Sequence, residues 1–374
     1  MLLRLPVLMV CLSLSSTAIS ADTVSFSGDV RLGYFSSERD DRDGSKSDQD
    51  DARIRLRAGL GWQISDSFFA KARLATRYSS AGNKSQFKFF HSIPLNDGLA
   101  FGDTGLDELY LRYQPNKIWS VAIGRLQTKA ELEGVAKKSL SRNDSPNTDI
   151  SWTDGVQLQH SRAGWISQLI VQANRDEGAT TVRRSPLAFT EERSHLSYYA
   201  AIEKKQKQGL WLQRGVDFTY LPKSLRQDGN IDGRIKDYAA ASTRLSMQWP
   251  LANGMRWVWA NELGYAANTP SNATLRLADS GNSDGGAWQT SINLMEIAEK
   301  HGIALVYGRI GGGWLLSPDF GNNQELIELR YQWRLSDSQS IEARLRQRED
   351  LAERTDANQK RNDIDSYLRY TLRF

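Results

Sequence analysis

The sequence predicts an all-β fold, a 16-stranded antiparallel up-and-down transmembrane β-barrel. Three observations predict it. Apolar residues fall at every second position through segments of about ten residues, the period of a strand with unlike faces. Short and long connections between those segments strictly alternate. The chain opens with an export leader, and behind it no apolar run approaches the about 20 residues of a membrane helix.

In the leader, Met1 to Arg4 is short and basic, Leu5 to Leu14 is apolar, and Ser15 to Ala21 is small and polar. Ala18-Ile19-Ser20, or the following Ala21, offers a cleavage site, so residues 1–21 read as a secretory signal peptide and 22–374 as the barrel. The only cysteine, Cys11, lies within the leader. The mature chain is therefore expected to hold no disulfide and no cysteine metal site. Lys+Arg number 48 against 44 for Asp+Glu, a net charge of +4 with no basic tail, which argues against a nucleic-acid binder. Mean hydropathy is −0.53. That value does not argue against a membrane barrel, whose apolar residues are hidden in alternation.

The first strand covers Thr23 to Ser36, with Val24, Phe26, Val30, Leu32 and Tyr34 on one face. A very polar stretch, residues 37–51, follows as the first long connection. ARIRLRAGLGW (52–62) then sets Ile54, Leu56, Leu60 and Trp62 against Arg53, Arg55 and Arg57. Phe68 to Tyr78 repeats the pattern, with Lys71, Arg73 and Arg77 on the polar face. Further strands are read near 106–113, 118–127, 152–160, 165–174, 195–204, 210–221, 237–249, 255–267, 286–295, 302–312, 324–335, 340–350 and 364–374. In 165–174, Ile166 and Ile170 spoil the alternation.

Short connections lie near 65–67, 114–117, 161–164, 205–209, 250–254, 296–301 and 336–339. Long ones lie near 37–51, 79–105, 128–151, 175–194, 222–236, 268–285, 313–323 and 351–363. All long loops then fall at one end and all short turns at the other, the shape of outer-membrane barrels. A soluble sandwich is the competing fold, but its strands average only about five or six residues. In lipid, a closed sheet alone leaves no backbone group unpaired. Aromatic residues gather at strand ends, among them Trp62, Trp119, Trp249, Trp257, Tyr265, Trp288 and Trp333, as in interfacial girdles.

The leader, the sixteen strands and a last strand ending on Phe374 resemble the porins of Gram-negative outer membranes. VAIGRLQTKAELEG (121–134), a loop, and SWTDGVQLQ (151–159) add to the resemblance. A Gly-Arg ending the fifth strand, a long third loop and an Asp-Gly opening the sixth recur among porin-like proteins and polysaccharide-export channels. The resemblance covers the mature chain as architecture and names no subfamily. It implies that Phe374 is the signal read by the barrel assembly machinery. It also implies that the third loop, about 128–150, folds into the pore as a constriction carrying Lys129, Glu131, Glu133, Lys137, Lys138, Arg142, Asp144 and Asp149. An ordinary external loop is the alternative. A homotrimer is a further expectation of the resemblance. Arg125 sits at a strand end, and its face is left unassigned.

With the apolar face toward lipid, the other face lines the lumen. Its basic residues are Arg53, Arg55, Arg57, Lys71, Arg73, Arg77, Arg112, Arg330, Arg334, Arg344, Arg346, Arg348, Arg369 and Arg373. The acids assigned to it are Asp29, Glu108, Glu262, Glu328 and Glu342. The first three and last three strands become neighbours on closure, so one wall should carry a ladder of arginines. Arginine stays charged and grips carboxylate or phosphate with two parallel bonds. Two readings stay open: arginines braced by acids that set a transverse field, or a dedicated path for a polyanion.

Catalytic readings find little support. His91, His160, His195 and His301 are scattered, and the His-x-Ser spacing of His195 and Ser197 would face the lumen, whereas outer-membrane phospholipase catalysis faces lipid. Residues 39–50 resemble a calcium loop with Arg39 at the first ligand position and Asp at the twelfth, so a solvated acidic segment, bridged to lipopolysaccharide by divalent ions, is preferred. The expected function is a passive outer-membrane channel for small hydrophilic solutes with anion preference. It needs no cofactor and catalyses nothing. Its surroundings are outer-membrane lipid and lipopolysaccharide. The alternative is a channel for export or uptake of an acidic polysaccharide or other polyanion.

Overall fold

Period-two alternation becomes paired strand along nearly all of the chain that the structure, a computed structural model, describes. The described residues are 23–80, 88–89, 100–101, 104–127, 130–135, 153–173, 187, 196–226, 235–278, 280–317 and 321–374, the side chains of 77–79, 88–89, 100–101, 104–105, 107, 153 and 226 excepted. Residues 1–21, the expected leader, lie outside them.

Sixteen strands build the wall. They are β1 (Val24–Asp40), β2 (Lys46–Ser65), β3 (Phe68–Ser79), β4 (Thr104–Tyr113), β5 (Trp119–Leu126), β6 (Thr153–Arg162), β7 (Trp165–Ala173) and β8 (Leu196–Lys205). The second half holds β9 (Trp211–Arg226), β10 (Ile235–Pro250), β11 (Arg256–Ala267), β12 (Gly286–Ile297), β13 (His301–Ile310), β14 (Gln324–Arg334), β15 (Gln339–Asp350) and β16 (Asn362–Arg373). Two two-residue strands, Lys88–Phe89 and Ala100–Phe101, lie in the connection between β3 and β4. Every strand pairs antiparallel with its chain neighbours, and β1 pairs with β16 from Asp29↔Arg373 to Asp40↔Asn362. The ring is closed, so no edge is left to face hydrocarbon. Gly28 and Phe374 exchange backbone hydrogen bonds at the seam, at 2.8 and 3.1 Å. The Phe374 ring lies over Gly28, where an added Cβ would meet it at 2.6 Å.

The first connection departs from the sequence expectation. Residues 37–51 are mostly strand, because β1 and β2 run on as a paired hairpin and leave only 41–45 as a turn. Beyond the apolar band both faces of a hairpin can be polar, so the acidic composition that reads as loop is compatible with a continuing ladder.

The outward face is apolar along its length. Leu32, Leu56, Leu263, Ile292, Leu305, Ile327, Leu345 and Leu368 are all exposed. Trp62, Trp119, Trp249, Trp257 and Trp333 ring the end with the short turns. Leucine and isoleucine exposed over a whole closed surface cannot be solvated by water at low cost, and a lipid-facing band with an aromatic girdle accounts for them.

The inward face is not uniformly polar. Part of it carries Tyr238, Ala240, Ala266, Ala287, Ala304 and Val306, which pack with Trp314, Leu315 and Leu316 in one buried cluster. Residues 311–317, GGGWLLS, therefore fold inside the barrel rather than above it. Tyr238 holds the segment, its hydroxyl donating to the Gly313 carbonyl at 3.0 Å and accepting from the Leu315 amide at 2.9 Å. Trp314 lies on Gly264, where a Cβ would come within 2.5 Å of the indole. The broken alternation of β7 has the same cause: Ile170 faces inward and packs with Ala130 and Tyr199.

Candidate functional site

The inward faces of β14, β15, β16, β1 and β2 form one continuous wall across the closing seam. Strand register sets its rows. Glu328 stands opposite Arg346, and Arg346 opposite Asp365. In the next row Arg330, Arg344, Tyr367 and Phe35 follow one another. Below them Glu342 pairs across to Arg369, then Arg31 to Arg55, then Asp29 to Arg57.

Carboxylates brace these guanidiniums. Asp365 accepts from Arg344 at 2.5 Å and from Arg346 at 2.7 Å, and Arg348 lies 3.3 Å away. Asp29 bridges Arg55 at 2.6 Å and Arg57 at 2.5 Å. Arg369 pairs with Glu342, Arg330 with Glu328 at 3.3 Å, and Arg53 with Asp51. Aromatic rings fill the middle: Arg344 and Arg369 lie over Tyr367 at 4.4 and 4.8 Å, and Arg53 over Phe35 at 4.1 Å. Guanidinium planes stack on such faces. On β3 and β4, Glu108 holds Lys71 and Arg73, both at 2.9 Å, while Arg112 donates to the Tyr110 hydroxyl at 3.2 Å. Guanidiniums still outnumber carboxylates on this wall.

The remaining basic residues lie at its margins. Arg334 is exposed at the turn end and donates to Glu296 at 3.0 Å. Arg373 is exposed at the same end, opposite Asp29 in register. Arg77 stands opposite Arg55 in the backbone register, its side chain outside the described ones. Alternation already puts Arg31 and Asp365 on the polar faces of their strands, but the lumen inventory read from the sequence omits both, together with Asp51 and Asp363.

The opposite wall, β8 to β13, carries fewer charges, with Glu203, Asp217 and Glu262 set against Lys205, Arg244 and Arg256. Arg244 is buried among Asp217 at 2.6 Å, Glu203 at 3.5 Å and Glu262 at 3.5 Å. Asp217, Glu203 and Arg244 are absent from the sequence-level inventory, because a lone arginine among small residues gives no ladder signal. Residues 130–135 lie against this wall. The Glu133 amide donates to Gln213 at 2.8 Å, the Val135 amide to Asn293 at 2.9 Å, and Ser246 to the Glu133 carbonyl at 3.1 Å. Lys205 pairs with the Glu133 carboxylate at 3.2 Å. Glu131 is held through its carbonyl by Gln213 at 2.7 Å. Beneath the segment a cavity of ≈ 690 Å³ opens at the turn end, lined by Glu133, Lys205, Arg256, Glu296 and Arg334 among others. Lys129, Lys137, Lys138, Arg142, Asp144 and Asp149 lie outside the described residues.

At the root of this segment Arg125 meets Asp154 in two parallel bonds of 2.5 Å. Register places Arg125 opposite Leu109 and Asp154, on the outward-facing parity, so it is not a lumen residue. Gly124, with φ of +124°, and Gly155 let the strands approach, since a Cβ at either would come within 2.3 and 2.0 Å of a neighbouring carbonyl oxygen.

His160 packs outward against Trp119 and His301 bonds Tyr331 at 2.7 Å, while His91 and His195 lie outside the described residues. Asp41 and Asp43 sit on the 41–45 turn and Asp50 on β2, and among the described residues no His, Cys, Asp or Glu cluster is suited to hold a metal.

No family model matches the chain, and no curated protein matches it in sequence. Its fold does match solved structures. Pseudomonas putida OprB superposes with a TM-score of 0.63 at 10% identity, covering 94% of each chain. An anion-selective porin from Comamonas acidovorans gives 0.56 at 10% identity, covering 94% of this chain and 98% of that one. OprD of Pseudomonas aeruginosa gives 0.52 at 10% identity, covering 93% and 94%. The chain has the fold of Gram-negative outer-membrane porins.

Proposed function

We propose that this protein is a passive outer-membrane channel for small hydrophilic solutes, with a preference for anions. The observation that carries the reading is the guanidinium-rich wall across the β16–β1 seam, facing a wall with few charges, where Asp217, Glu203 and Glu262 surround Arg244. Ions in the bore then meet a transverse field. Anions follow the arginine side, and cations are left the side beneath the inward segments. The braced arginines remain charged at any physiological pH. Enclosed water screens each contact, so each binds weakly enough to release its ion, as conduction requires.

In this reading the segment around 130–135 is the constriction, Phe374 marks the chain for barrel assembly, and residues 1–21 are removed on export. The lipid-facing band sits among outer-membrane lipid and lipopolysaccharide. Neither catalysis nor a cofactor has a part in it. The fold shared with an anion-selective porin supports the channel, and the wall of this chain supports the sign of its selectivity.

Reversal potentials of the purified protein in planar bilayers under a KCl gradient test both. A chloride-selective potential is expected. Cation selectivity overturns the anion reading, and no conductance at all overturns the channel. Strong saturable block by an oligouronate, but not by chloride, would move the function to a polyanion channel. The mass of the detergent-solubilised particle tests the homotrimer.

A further inference from the structure

Among the described residues, one place on the lipid-facing surface joins a hollow to a row of cations. A groove of ≈ 690 Å³ runs over β6 to β10 on the outside of the barrel. Register puts Leu158, Leu169, Ala200, Phe218 and Ala241 in one row across it. His160, Ser167, Ile202 and Val216 form the row below, nearer the short turns. The hollow exists because Ser167, Ala200 and Ala241 are small where other strands present leucine or isoleucine.

The next row toward the turns is cationic. Arg162, Trp165, Lys204 and Arg214 stand side by side on β6 to β9. Lys204 lies 5.9 Å from the centre of the Trp165 ring, and Arg214 lies 5.9 Å from Trp165 and 5.7 Å from Trp211. Among the described residues no carboxylate pairs with these three cations. No other described strand presents lysine or arginine outward at this end, where Trp62, Phe68, Tyr113, Trp257 and Trp333 are found instead. Interfacial aromatics are general to membrane barrels. Cations without a carboxylate partner, gathered on three of four adjoining strands directly below a hollow in the apolar band, are not.

We infer that this surface is a site for one anionic phospholipid of the periplasmic leaflet. Short turns mark the periplasmic side. The lipid phosphate meets Lys204 and Arg214 at the headgroup level, and Arg162 closes the far side of Trp165. An acyl chain lies upward along Ile202, Ala200 and Phe218. The charge calls for an anionic headgroup, and the hollow calls for hydrocarbon that stays in place rather than exchanging with bulk lipid.

The full-length protein, purified in mild detergent, is incubated with phosphatidylglycerol or phosphatidylethanolamine of the same acyl chains, and bound lipid is counted by native mass spectrometry. Phosphatidylglycerol should be retained preferentially. The double variant Lys204→Gln/Arg214→Gln should weaken its binding about 30-fold, roughly fivefold for each interfacial cation. Ala200→Phe, which fills the hollow without touching a charge, should also displace it. Heat-modifiable gel mobility verifies folding of both variants, and the double variant, which changes only half-buried surface side chains, keeps the test decisive if Ala200→Phe does not fold. Equal retention of the two lipids, or unchanged retention by the double variant, overturns the site. Crosslinking between copies through Ala200→Cys also overturns it, because the groove would then face a second copy. None of these residues faces the bore, so bilayer conductance stays a separate test of the channel.

Discussion

The seam wall and the β8–β13 wall are built from the same strand geometry but line the barrel with opposite chemistry. On the seam wall the inward positions carry long charged side chains, and arginines such as Arg344, Arg55 and Arg53 find a carboxylate or an aromatic face on the same wall. On the other wall the inward positions are mostly Ala, Gly, Ser and Gln, and their partners are segments 130–135 and 311–317 folded in from the loops. The contrast teaches where a barrel interior stays a bore and where it becomes a core. A small inward residue leaves room for chain to pack against it, whereas a guanidinium holds water beside it.

Removing the packing on the core-like side should have the largest effect. Trp314→Ala takes out a fully buried indole, at a cost of about 3–5 kcal/mol. Thermal unfolding in detergent should shift accordingly, and single-channel conductance should rise as 311–317 loosens. An unchanged conductance would mean that this segment does not narrow the path.

Arg244→Gln tests the charges of that side next. It leaves Asp217, Glu203 and Glu262 without their shared cation, and should cost about 3 kcal/mol. The lumen gains negative charge, so anion preference should fall. Asp365→Asn is the mirror experiment on the seam. Arg344, Arg346 and Arg348 lose their common partner. Asp365, Arg344 and Arg346 are buried and Arg348 is partly exposed, so the cost should be about 2–3 kcal/mol, and anion preference should rise. Reversal potentials read both variants. Shifts of the same sign would mean that the two walls do not act as opposed charges.

The smallest effect lies outside the membrane. Arg42 on the β1–β2 turn pairs bidentately with buried Asp350, at 2.5 and 2.8 Å, and Asn358 and Gln359 bond the same turn. Arg42→Gln should cost about 1 kcal/mol and leave selectivity unchanged. It should speed proteolytic nicking within 351–361, as followed by gel.

Most of the wall is legible in the chain because a barrel strand reports both of its faces. ARIRLRAGLGW states at once that alternate side chains meet different media, and the register of β1, β2 and β3 agrees with it residue for residue. Asp365 was equally legible, two positions from Tyr367 on the same face. Ile170 was not, because its inward apolar side chain makes sense only once Ala130 arrives beside it. The hairpin at 37–51 misled for a related reason, since polar composition marks water on both faces and not the end of pairing.

Alternation and closure are local properties. Each pair of neighbouring residues chooses between hydrocarbon and water, and the sum of those choices appears in the amino-acid order as a sixteen-stranded ring with a cationic seam. The filling of the bore belongs to the tertiary structure alone. GGGWLLS and the residues around Glu133 carry no period that points inward. They enter because small residues far away in the chain leave space and hydrogen-bond partners on the opposite wall, and that complementarity exists only after the ring has closed.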